Sequence, residues 1–458
     1  MLSFLRCTNL VNYKENKMGQ TLNMNDKGLL FKLTWPIFIE LVLQMLVGNV
    51  DQMMMSQYSE NAVAAIGNVN TIMNFVTITF SIVTMAITIM VTQYLGSKNK
   101  EKVSEIYTVG IFTNLIFSAI ISAGLFFGSD ALFNALKMPV ELHADAQVYL
   151  NIVGGLVFLQ ALFMSFSAIF RSNGLMKQGM YISVIVNVLN IIGNAILLNS
   201  MGIMGIAISS VFSRFIGVIL VYRLFSKRIE GELHLKYLRP FPKETLKQLL
   251  RIGVPAGGES VMYNFSQMVI LMCVNMLGTA VITARVYANM IAWLSYLYSS
   301  AVGQANQIII GHLVGAREED AAYKRSLKTL RPTMIITLII STSVFLLSDH
   351  IFGIFTKNPD VLSLLKTITF IEIFLELGRA VNIVIIRGMQ AAGDTQYPVF
   401  ISVLSMWGVA TLLSYVFGIV LDWGLVGIWM AMALDECVRA VIFYIRWKRG
   451  GWRGKAVI

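Results

Sequence analysis

Charged residues, cysteine, histidine and proline are all scarce in this sequence. Only 13% of its 458 residues are charged, where a soluble globular chain has about 25%. The low charge excludes a soluble enzyme and a disordered chain. The three cysteines and four histidines are scattered and form no CxxC pair, so neither a disulfide scaffold nor a zinc site is expected.

Hydrophobic residues make up 56% of the chain and fall into long apolar segments. A membrane-spanning helix needs about 20 such residues, and we count twelve segments of this kind. The runs are too long and too uniformly apolar for the alternating strands of a β-barrel. The predicted spans lie at about 31–55, 62–95, 104–127, 144–170, 178–198, 202–225, 252–278, 282–311, 331–348, 361–387, 397–420 and 424–446. The sequence predicts an all-α polytopic membrane protein.

Lysine and arginine are unevenly distributed between the turns that join these spans. They concentrate in the even-numbered turns, in a basic stretch between the sixth and seventh spans and in the last residues. The odd-numbered turns hold Lys137, Arg285, Lys357 and Lys366. By the positive-inside rule both termini are expected in the cytoplasm, in a multi-pass protein of the plasma (inner) membrane. The rule also accounts for the net charge of +11 without a nucleic-acid partner.

The two halves of the sequence resemble each other at an offset of about 219 residues. Pro36 and Glu40 recur as Pro255 and Glu259, and the same shift relates other pairs along the chain. Six spans in each copy give both copies the same orientation. We therefore predict two six-helix bundles related by a pseudo-two-fold axis along the membrane normal, an arrangement typical of transporters with the substrate path between the bundles.

This repeat predicts the domain organisation. The boundaries are a polar cytoplasmic tail at 1–27, an N-terminal six-helix bundle at 28–225, a basic cytoplasmic linker at 226–250, a C-terminal six-helix bundle at 251–447 and a basic cytoplasmic tail at 448–458.

Several short elements resemble the multidrug and toxic compound extrusion (MATE) family over about residues 28–447. They are Val50-Asp51 at the end of the first span, Gln93–Gly96, the Arg-x-x-Gly turn Arg171–Gly174, Arg387-Gly388 and Ala392–Thr395. The resemblance implies a secondary antiporter that exports organic, often cationic, compounds in exchange for sodium or protons. We expect a monomer in the bilayer, with a small-molecule substrate and no cofactor beyond the coupling ion. No Walker A motif occurs, so ATP is not expected to drive transport.

Asp51 is the first candidate for the coupling site, because a carboxylate inside the bilayer is costly and tends to be functional. The resemblance implies the same role, since the family has a mechanistic aspartate at the matching position. The family pairs it with an asparagine and an aspartate on the fifth span, where this chain has Asn187, Asn190 and Asn194. Amide oxygens can ligate sodium but carry no proton, so a relay between two carboxylates is not expected here. Hydrogen bonding between helices is the alternative role for these asparagines.

Acidic residues of the second half are further candidates. Glu259, Tyr263 and Gln267 repeat every fourth residue and form a polar stripe on the seventh span. Glu259 is expected to bind sodium or protons, and Tyr263 and Gln267 to contact substrate. Glu376 on the tenth span is a further ion candidate, since the resemblance implies an acidic residue there, but its spacing also permits an ion pair with Arg379. Asp435, Glu436 and Arg439 are expected to pair with one another.

The remaining candidates concern the substrate and the motion. Aromatic faces attract organic cations, so Tyr287, Trp293 and Tyr296 on the eighth span are expected to bind substrate, together with Asn187. Pro36 and Pro255 free backbone groups within their helices and are candidate hinges. Packing against lipid or protein is the alternative for each aromatic residue.

Other functions fit the sequence less well. A flippase for lipid-linked saccharides would share the fold, but its cavity would need several cationic residues, and acidic and amide groups dominate here. A major facilitator also has parallel six-helix repeats, but its Gly-Arg-rich loop after the second span is absent. A membrane-embedded prenyl transferase needs clustered aspartates for magnesium, and no such cluster occurs.

Overall fold

The structure is a computed structural model that describes residues 26, 28–56 and 59–458. Apart from Asp26, the polar tail expected at 1–27 lies outside the described residues. Long apolar segments form helices here because a helix satisfies every backbone group within its own segment, as the hydrocarbon of a membrane requires.

The first half contains seven helices among the described residues. Their bounds are α1 Leu29–Met55, α2 Glu60–Gly96, α3 Lys100–Phe127, α4 Ser129–Ala135, α5 His143–Gly155, α6 Phe158–Ser172 and α7 Met176–Arg228. Polar side chains cap two of them: the Ser59 hydroxyl accepts from the Ala62 amide before α2, and the Asn99 side chain accepts from the Lys102 amide before α3.

The second half follows the same order. Its helices are α8 Lys243–Asn275, α9 Thr279–Gly315, α10 Glu319–Leu346, α11 Ser348–Gly353, α12 Pro359–Ala391, α13 Gln396–Ser405, α14 Leu412–Tyr415 and α15 Gly424–Lys448. Two π-helical segments, Met406–Thr411 and Val416–Val420, continue α13 and α14 into one span.

These helices account for twelve membrane spans. Among the described helices, α1, α2, α3, α7, α10 and the segment Gln396–Val420 are long and apolar enough to cross a membrane, and α5 with α6 forms another span bent by 46°. Helix α7 crosses twice, because it breaks at Gly202. Helices α8, α9, α12 and α15 are equally long but carry inward-facing polar or charged side chains. The all-α fold of twelve spans in two bundles confirms the prediction from the sequence.

Gly202 turns the fifth span directly into the sixth. Its φ of 55° and ψ of −132° lie in a region that only glycine adopts without steric strain, so the chain reverses there without a loop. Gly193 on the first arm packs against the second arm, since a Cβ there would lie 2.3 Å from the Ser209 hydroxyl oxygen. The two arms of α7 therefore form a close helical hairpin.

The two halves meet on one side of the bundle, called here the terminal side, where α1 begins and α15 ends. One buried cluster there combines Leu33 and Ile37 of α1 with Leu313 of α9 and Trp447 of α15. A second joins residues of α2 and α3 to Leu249 and neighbouring residues of α8. On the opposite side the described buried clusters each belong to one half. The described core clusters thus join the halves at the terminal side, and we infer that a cleft separates the halves on the other side.

The closure at the terminal side is tight where α2 crosses α9. A Cβ on Gly96 would lie 2.2 Å from the carbonyl oxygen of His312, and one on Gly315 would lie 2.0 Å from that of Gln93. The His312 ring also forms a hydrogen bond with the carbonyl of Ser172, 2.9 Å away. Because only glycine fits at these two positions, the backbones of α2 and α9 are in direct contact.

The structure differs from the expected boundaries at two places, and it keeps the candidate hinges Pro36 and Pro255 inside their predicted spans. Helix α7 continues to Arg228 and α8 begins at Lys243, so the segment between them is shorter than the linker expected at 226–250. Pro36 and Pro255 lie inside α1 and α8, where each removes a backbone donor from the helix. The residues after α15 pack against both halves, whereas the sequence suggested only a basic tail at 448–458.

Candidate functional site

Asp51 lies at the centre of a buried polar site in the first half. Its side chain is 2% exposed and accepts hydrogen bonds from the Asn194 amide (2.6 Å) and the Ser210 hydroxyl (3.0 Å). The Tyr149 hydroxyl lies 3.5 Å from the same carboxylate. Asn190 donates to Ser210 at 3.0 Å and so orients that hydroxyl toward Asp51. The structure brings together three of the predicted ion-site residues.

The α7 hairpin builds this site. Asn194 and Ser210 stand eight positions on either side of Gly202, so the reversal places them at one depth, facing α1. The Ser209 hydroxyl donates to the Asn190 carbonyl at 2.8 Å and ties the two arms together. Amide, hydroxyl and carboxylate oxygens are the ligands that hard cations prefer.

One atom of the site has no partner within the described residues. The side-chain oxygen Oδ1 of Asn194 is buried and accepts no hydrogen bond there. Rotating this amide by 180° turns that oxygen toward Asp51, because the amide oxygen and nitrogen are interchangeable in shape. The Asp51 site then offers several oxygen ligands to a cation.

The second half has no copy of the Asp51 site. At the repeat offset, Asp51 corresponds to Ile270, which is fully buried, and Asn194 corresponds to Leu413. The matching part of the eleventh span is the π-helical segment Met406–Thr411, which rests on α8 through a 2.8 Å hydrogen bond between Ser266 and Thr411. The duplicated halves therefore differ at this depth.

A cluster of charges occupies the second half instead. Its members lie on α12 and α15 and comprise Glu372, Glu376, Arg379, Asp435, Glu436 and Arg439. Arg439 bridges Asp435 at 2.5 Å and Glu436 at 3.0 Å, as their spacing predicted. If every group is ionised, four carboxylates face two guanidinium groups in this set.

Glu376 lies at the edge of this cluster. One of its carboxylate oxygens pairs with Arg379, and the other, Oε2, is buried without a hydrogen-bond partner among the described residues. A small cavity between α9, α10 and α12 is lined by Glu372, Glu376, Ser295 and Ser341. The ion pair expected between Glu376 and Arg379 is thus present, and the expected ion site at Glu376 stays a prediction.

Glu259, Tyr263 and Tyr296 gather on the face of the second half that looks toward the first. Glu259 is within Coulombic reach of Arg439 and Arg387, and Tyr263 is within reach of Tyr296. Tyr263 and Tyr296 are each 39% exposed. Trp293 packs edge-on against Tyr296 with ring centroids 5.3 Å apart.

This face borders the contact between the halves. Arg387 reaches across from α12 to the Met85 sulfur on α2, 3.4 Å away. Arg387 is also within Coulombic reach of Glu259 and Tyr296. A carboxylate and two aromatic side chains therefore lie near the contact between the halves.

Other predicted residues lie elsewhere. Tyr287 stacks on Phe355 at 5.3 Å and donates to its carbonyl, so it packs within the second half, away from the Glu259 group. Asn187 donates to the Ser183 carbonyl of its own helix. Gln267 is partly buried one turn beyond Tyr263 on α8.

Glu40, the repeat partner of Glu259, is neutralised. It accepts a hydrogen bond from Arg171 at 3.1 Å and is 2% exposed. Glu259 has no salt bridge of this kind among the described residues. The two repeat partners therefore present different charges.

The sequence interpretation missed Ser210 and Tyr149. Ser210 belongs to a Ser209-Ser210 pair inside an apolar span, and polar pairs of this kind are a weak sign of helix contacts. Tyr149 precedes the break between α5 and α6, where aromatic residues are ordinary. Only the tertiary packing of α5 and of the α7 hairpin against α1 shows that both face Asp51.

Comparisons with known proteins agree with this fold. The MatE family model matches residues 36–196 and again 255–416. The chain is 39% identical over 434 residues to the uncharacterized transporter YisQ of Bacillus subtilis, covering 93% of this chain and 95% of that protein. It is 26% identical over 452 residues to a probable multidrug resistance protein NorM of Thermotoga maritima, covering 94% of each.

Solved structures show the same architecture. A MATE crystal structure in the bent conformation superposes with a TM-score of 0.90 at 18% identity, covering 97% of this chain and all of that one. A transporter of the MOP superfamily from Pyrococcus furiosus gives a TM-score of 0.86 at 18% identity, with coverage of 95% and 98%. The duplicated family match, the extent of the sequence similarity and the shared fold lead to one conclusion: the chain belongs to the MatE family and is a multi-pass membrane transporter of the MATE multidrug efflux type, not an enzyme.

Proposed function

We propose that this protein exports amphipathic organic cations from the cell in exchange for inward sodium or protons, by alternating access. The observation that carries the proposal is the separation of two sites. A carboxylate beside aromatic side chains borders the cleft, and a second buried carboxylate, Asp51, lies inside the first half with no salt bridge among the described residues. The protein would work as a monomer of the plasma membrane with both termini in the cytoplasm, without ATP or a cofactor other than the coupling ion.

The Asp51 site is the proposed coupling site. Sodium would take oxygen ligands from Asp51, Ser210 and, after its amide turns, Asn194. A proton would neutralise the Asp51 carboxylate, and the Asn194 oxygen would then accept from it. Either ion changes the charge of a buried group and so changes the packing of α1 against the α7 hairpin.

The conformation of the molecule, closed at the terminal side, fits a coupling role for Asp51. With both termini in the cytoplasm, the terminal side is the cytoplasmic side, and the cleft faces outward. An ion can shift the equilibrium between this state and the inward-open one only through different affinities for the two. We propose that ion binding at Asp51 favours substrate release to the outside.

Glu376 is a second place where the same ion is proposed to act. Its unpartnered oxygen Oε2 adjoins the small cavity that Glu372 and Ser295 also line. Arg379 already neutralises one of its oxygens, whereas Asp51 has only neutral donors. Because Glu376 has a neighbouring positive charge and Asp51 has only neutral donors, Asp51 is the stronger candidate for the coupling site.

The substrate is proposed to bind beside Glu259. Its carboxylate attracts a cation, and the exposed faces of Tyr263, Tyr296 and Trp293 can hold a flat or lipophilic cation by cation–π attraction. The Glu40 carboxylate on the other half is already paired with Arg171, so Glu259 is the more available charge.

The test is efflux of a fluorescent organic monocation from proteoliposomes under an imposed sodium or proton gradient. We expect efflux with one of the gradients and none without. Glu259→Gln should raise the KM for the cation about tenfold with little change in kcat, since it removes one charge contact and leaves the coupling site intact. Glu60→Gln, at an exposed position, is the matched control.

Two results would overturn the proposal. Failure of all tested cations under both gradients would favour a lipid flippase of the same fold, which a fluorescent lipid-scrambling assay would detect. An unchanged KM in the Glu259 variant would place the substrate elsewhere in the cleft.

A further inference from the structure

The residues after α15 bind both halves of the molecule at the terminal side. Trp452 is fully buried, stacks on Trp447 with ring centroids 4.3 Å apart and donates to its carbonyl at 3.1 Å. The Gly454 amide donates to Glu319 at 3.0 Å, and Arg453 pairs with Asp320 at 2.6 Å. These contacts fix the segment 450–455 to the second half.

A buried carboxylate adds a further anchor on that half. Asp394 is 2% exposed and binds Arg446 at 2.9 Å and Lys455 at 2.7 Å. The Arg446 guanidinium lies over the ring of Tyr397, 3.7 Å from its centroid. Asp394 thus ties the segment to the turn that follows α12.

The next two residues reach the first half. The Val457 amide donates to the Gln93 side-chain oxygen at 2.7 Å, and the Tyr94 hydroxyl lies 3.4 Å from the Val457 carbonyl. The Gln93 nitrogen donates to the Ala391 carbonyl of α12 at 2.7 Å. Gln93 is fully buried and makes both of these bonds across the contact between the halves.

We propose that residues 450–457 form a latch that holds the two halves together at the terminal side and must release from α2 before this side opens. The proposal rests on alternating access, the mechanism proposed above, and adds a control on one of its two states. Opening this side separates α2 from α9 and α12, and it breaks the bonds of Val457 and Ala391 to Gln93. The latch therefore favours the state that is closed at the terminal side.

The latch is tested in the full-length protein by the distance between the halves. Spin labels are attached at Lys227→Cys on α7 and Lys324→Cys on α10, both exposed, in a variant in which Cys7, Cys273 and Cys437 are replaced by serine. Electron–electron double resonance then measures the populations with short and long distances, without substrate or ion gradient. The distance therefore reports the latch even if the proposed transport activity is wrong.

Two changes remove the contact between Val457 and α2. Deleting residues 456–458 keeps the polar anchors of the segment on the second half and the bond between Gln93 and Ala391. Gln93→Met keeps the buried volume but removes both bonds of Gln93, to Val457 and to Ala391. We expect each to raise the ratio of open to closed populations about tenfold, the effect of losing one or two hydrogen bonds. Lys448→Ala, at an exposed position next to the segment, should leave the ratio unchanged.

An unchanged distance distribution in either folded variant would overturn the latch. If the deletion prevents folding, Tyr94→Phe decides in its place, because it removes only the hydrogen bond between the Tyr94 hydroxyl and the Val457 carbonyl and should also raise the open population. If efflux is absent but the distances shift toward the open population as expected, the result would count against the transport proposal and would still support the latch.

Discussion

Replacing Asp51 by asparagine is expected to reduce gradient-driven efflux on the order of a hundredfold while leaving the protein folded. Asparagine has nearly the same shape and can still bond with Asn194 and Ser210. It carries no charge and accepts no proton, so neither sodium nor a proton gains a favourable contact there. A charge-assisted contact of about 3 kcal/mol corresponds to that loss of rate. Efflux from proteoliposomes measures it, with Asp130→Asn as an exposed control.

A substrate-binding measurement on Asp51→Asn distinguishes a loss of ion coupling from a loss of the folded structure. Binding of the fluorescent cation in detergent is expected to stay within about twofold of the unmodified protein, because Asp51 is buried inside the first half at 2% exposure, apart from the proposed substrate site. Undiminished coupling in Asp51→Asn would indicate that the coupling ion binds in the second half instead. In that case Glu376→Gln should abolish the coupling that Asp51→Asn leaves intact.

Replacing Arg439 by leucine is expected to destabilise the protein by about 3–5 kcal/mol, the cost of leaving the buried Asp435 carboxylate without its positive partner. Arg439 is 5% exposed and bonds to both Asp435 and Glu436. Without Arg439, Asp435 keeps only a neutral hydrogen bond from Ser405, whereas Glu436 keeps Arg379 at 3.6 Å. We expect the melting temperature in detergent to fall by about 10 °C.

A double variant shows whether the charge or the packing matters. Asp435→Leu combined with Arg439→Leu removes a carboxylate with its partner, and replacing a buried pair by apolar residues of similar size is often neutral. The melting temperature of the double variant should therefore lie closer to that of the unmodified protein than to that of Arg439→Leu. Arg449→Leu, at an exposed position beyond α15, is the control for losing an arginine. Equal melting of the single and double variants would contradict the charge argument.

The architecture was predictable because its signals repeat along the chain. Apolar segments of spanning length and the offset that relates Glu40 to Glu259 together predicted two bundles of six helices. The offset also aligns Ile270 with Asp51, so the absence of that carboxylate from the second copy is readable in the sequence. The offset does not reveal that Glu40 is paired with Arg171, because that contact joins helices far apart in the chain.

The candidate site was predictable only in part. Asp51 and Asn194 stand out as polar residues inside apolar spans, and the structure places them 2.6 Å apart. Ser210 does not stand out, since a serine inside a span commonly bonds to its own helix. Its place beside Asp51 depends on the backbone of Gly202, whose φ of 55° no pattern of polarity encodes. The role of Gln93 likewise depends on residues more than 290 positions away.

The Gly202 reversal has an electrical consequence. Asn194 and Ser210 are eight residues from the turn, so in the proposed orientation an ion bound at Asp51 would lie about 12 Å from the outer end of the hairpin. That is roughly two-fifths of a hydrocarbon core of about 30 Å. A cation that enters from outside would cross that share of the membrane voltage, worth about 0.9 kcal/mol per 100 mV. A negative cell interior would then strengthen ion binding several-fold, and an ion affinity independent of an imposed potassium diffusion potential would place the ion at a different depth.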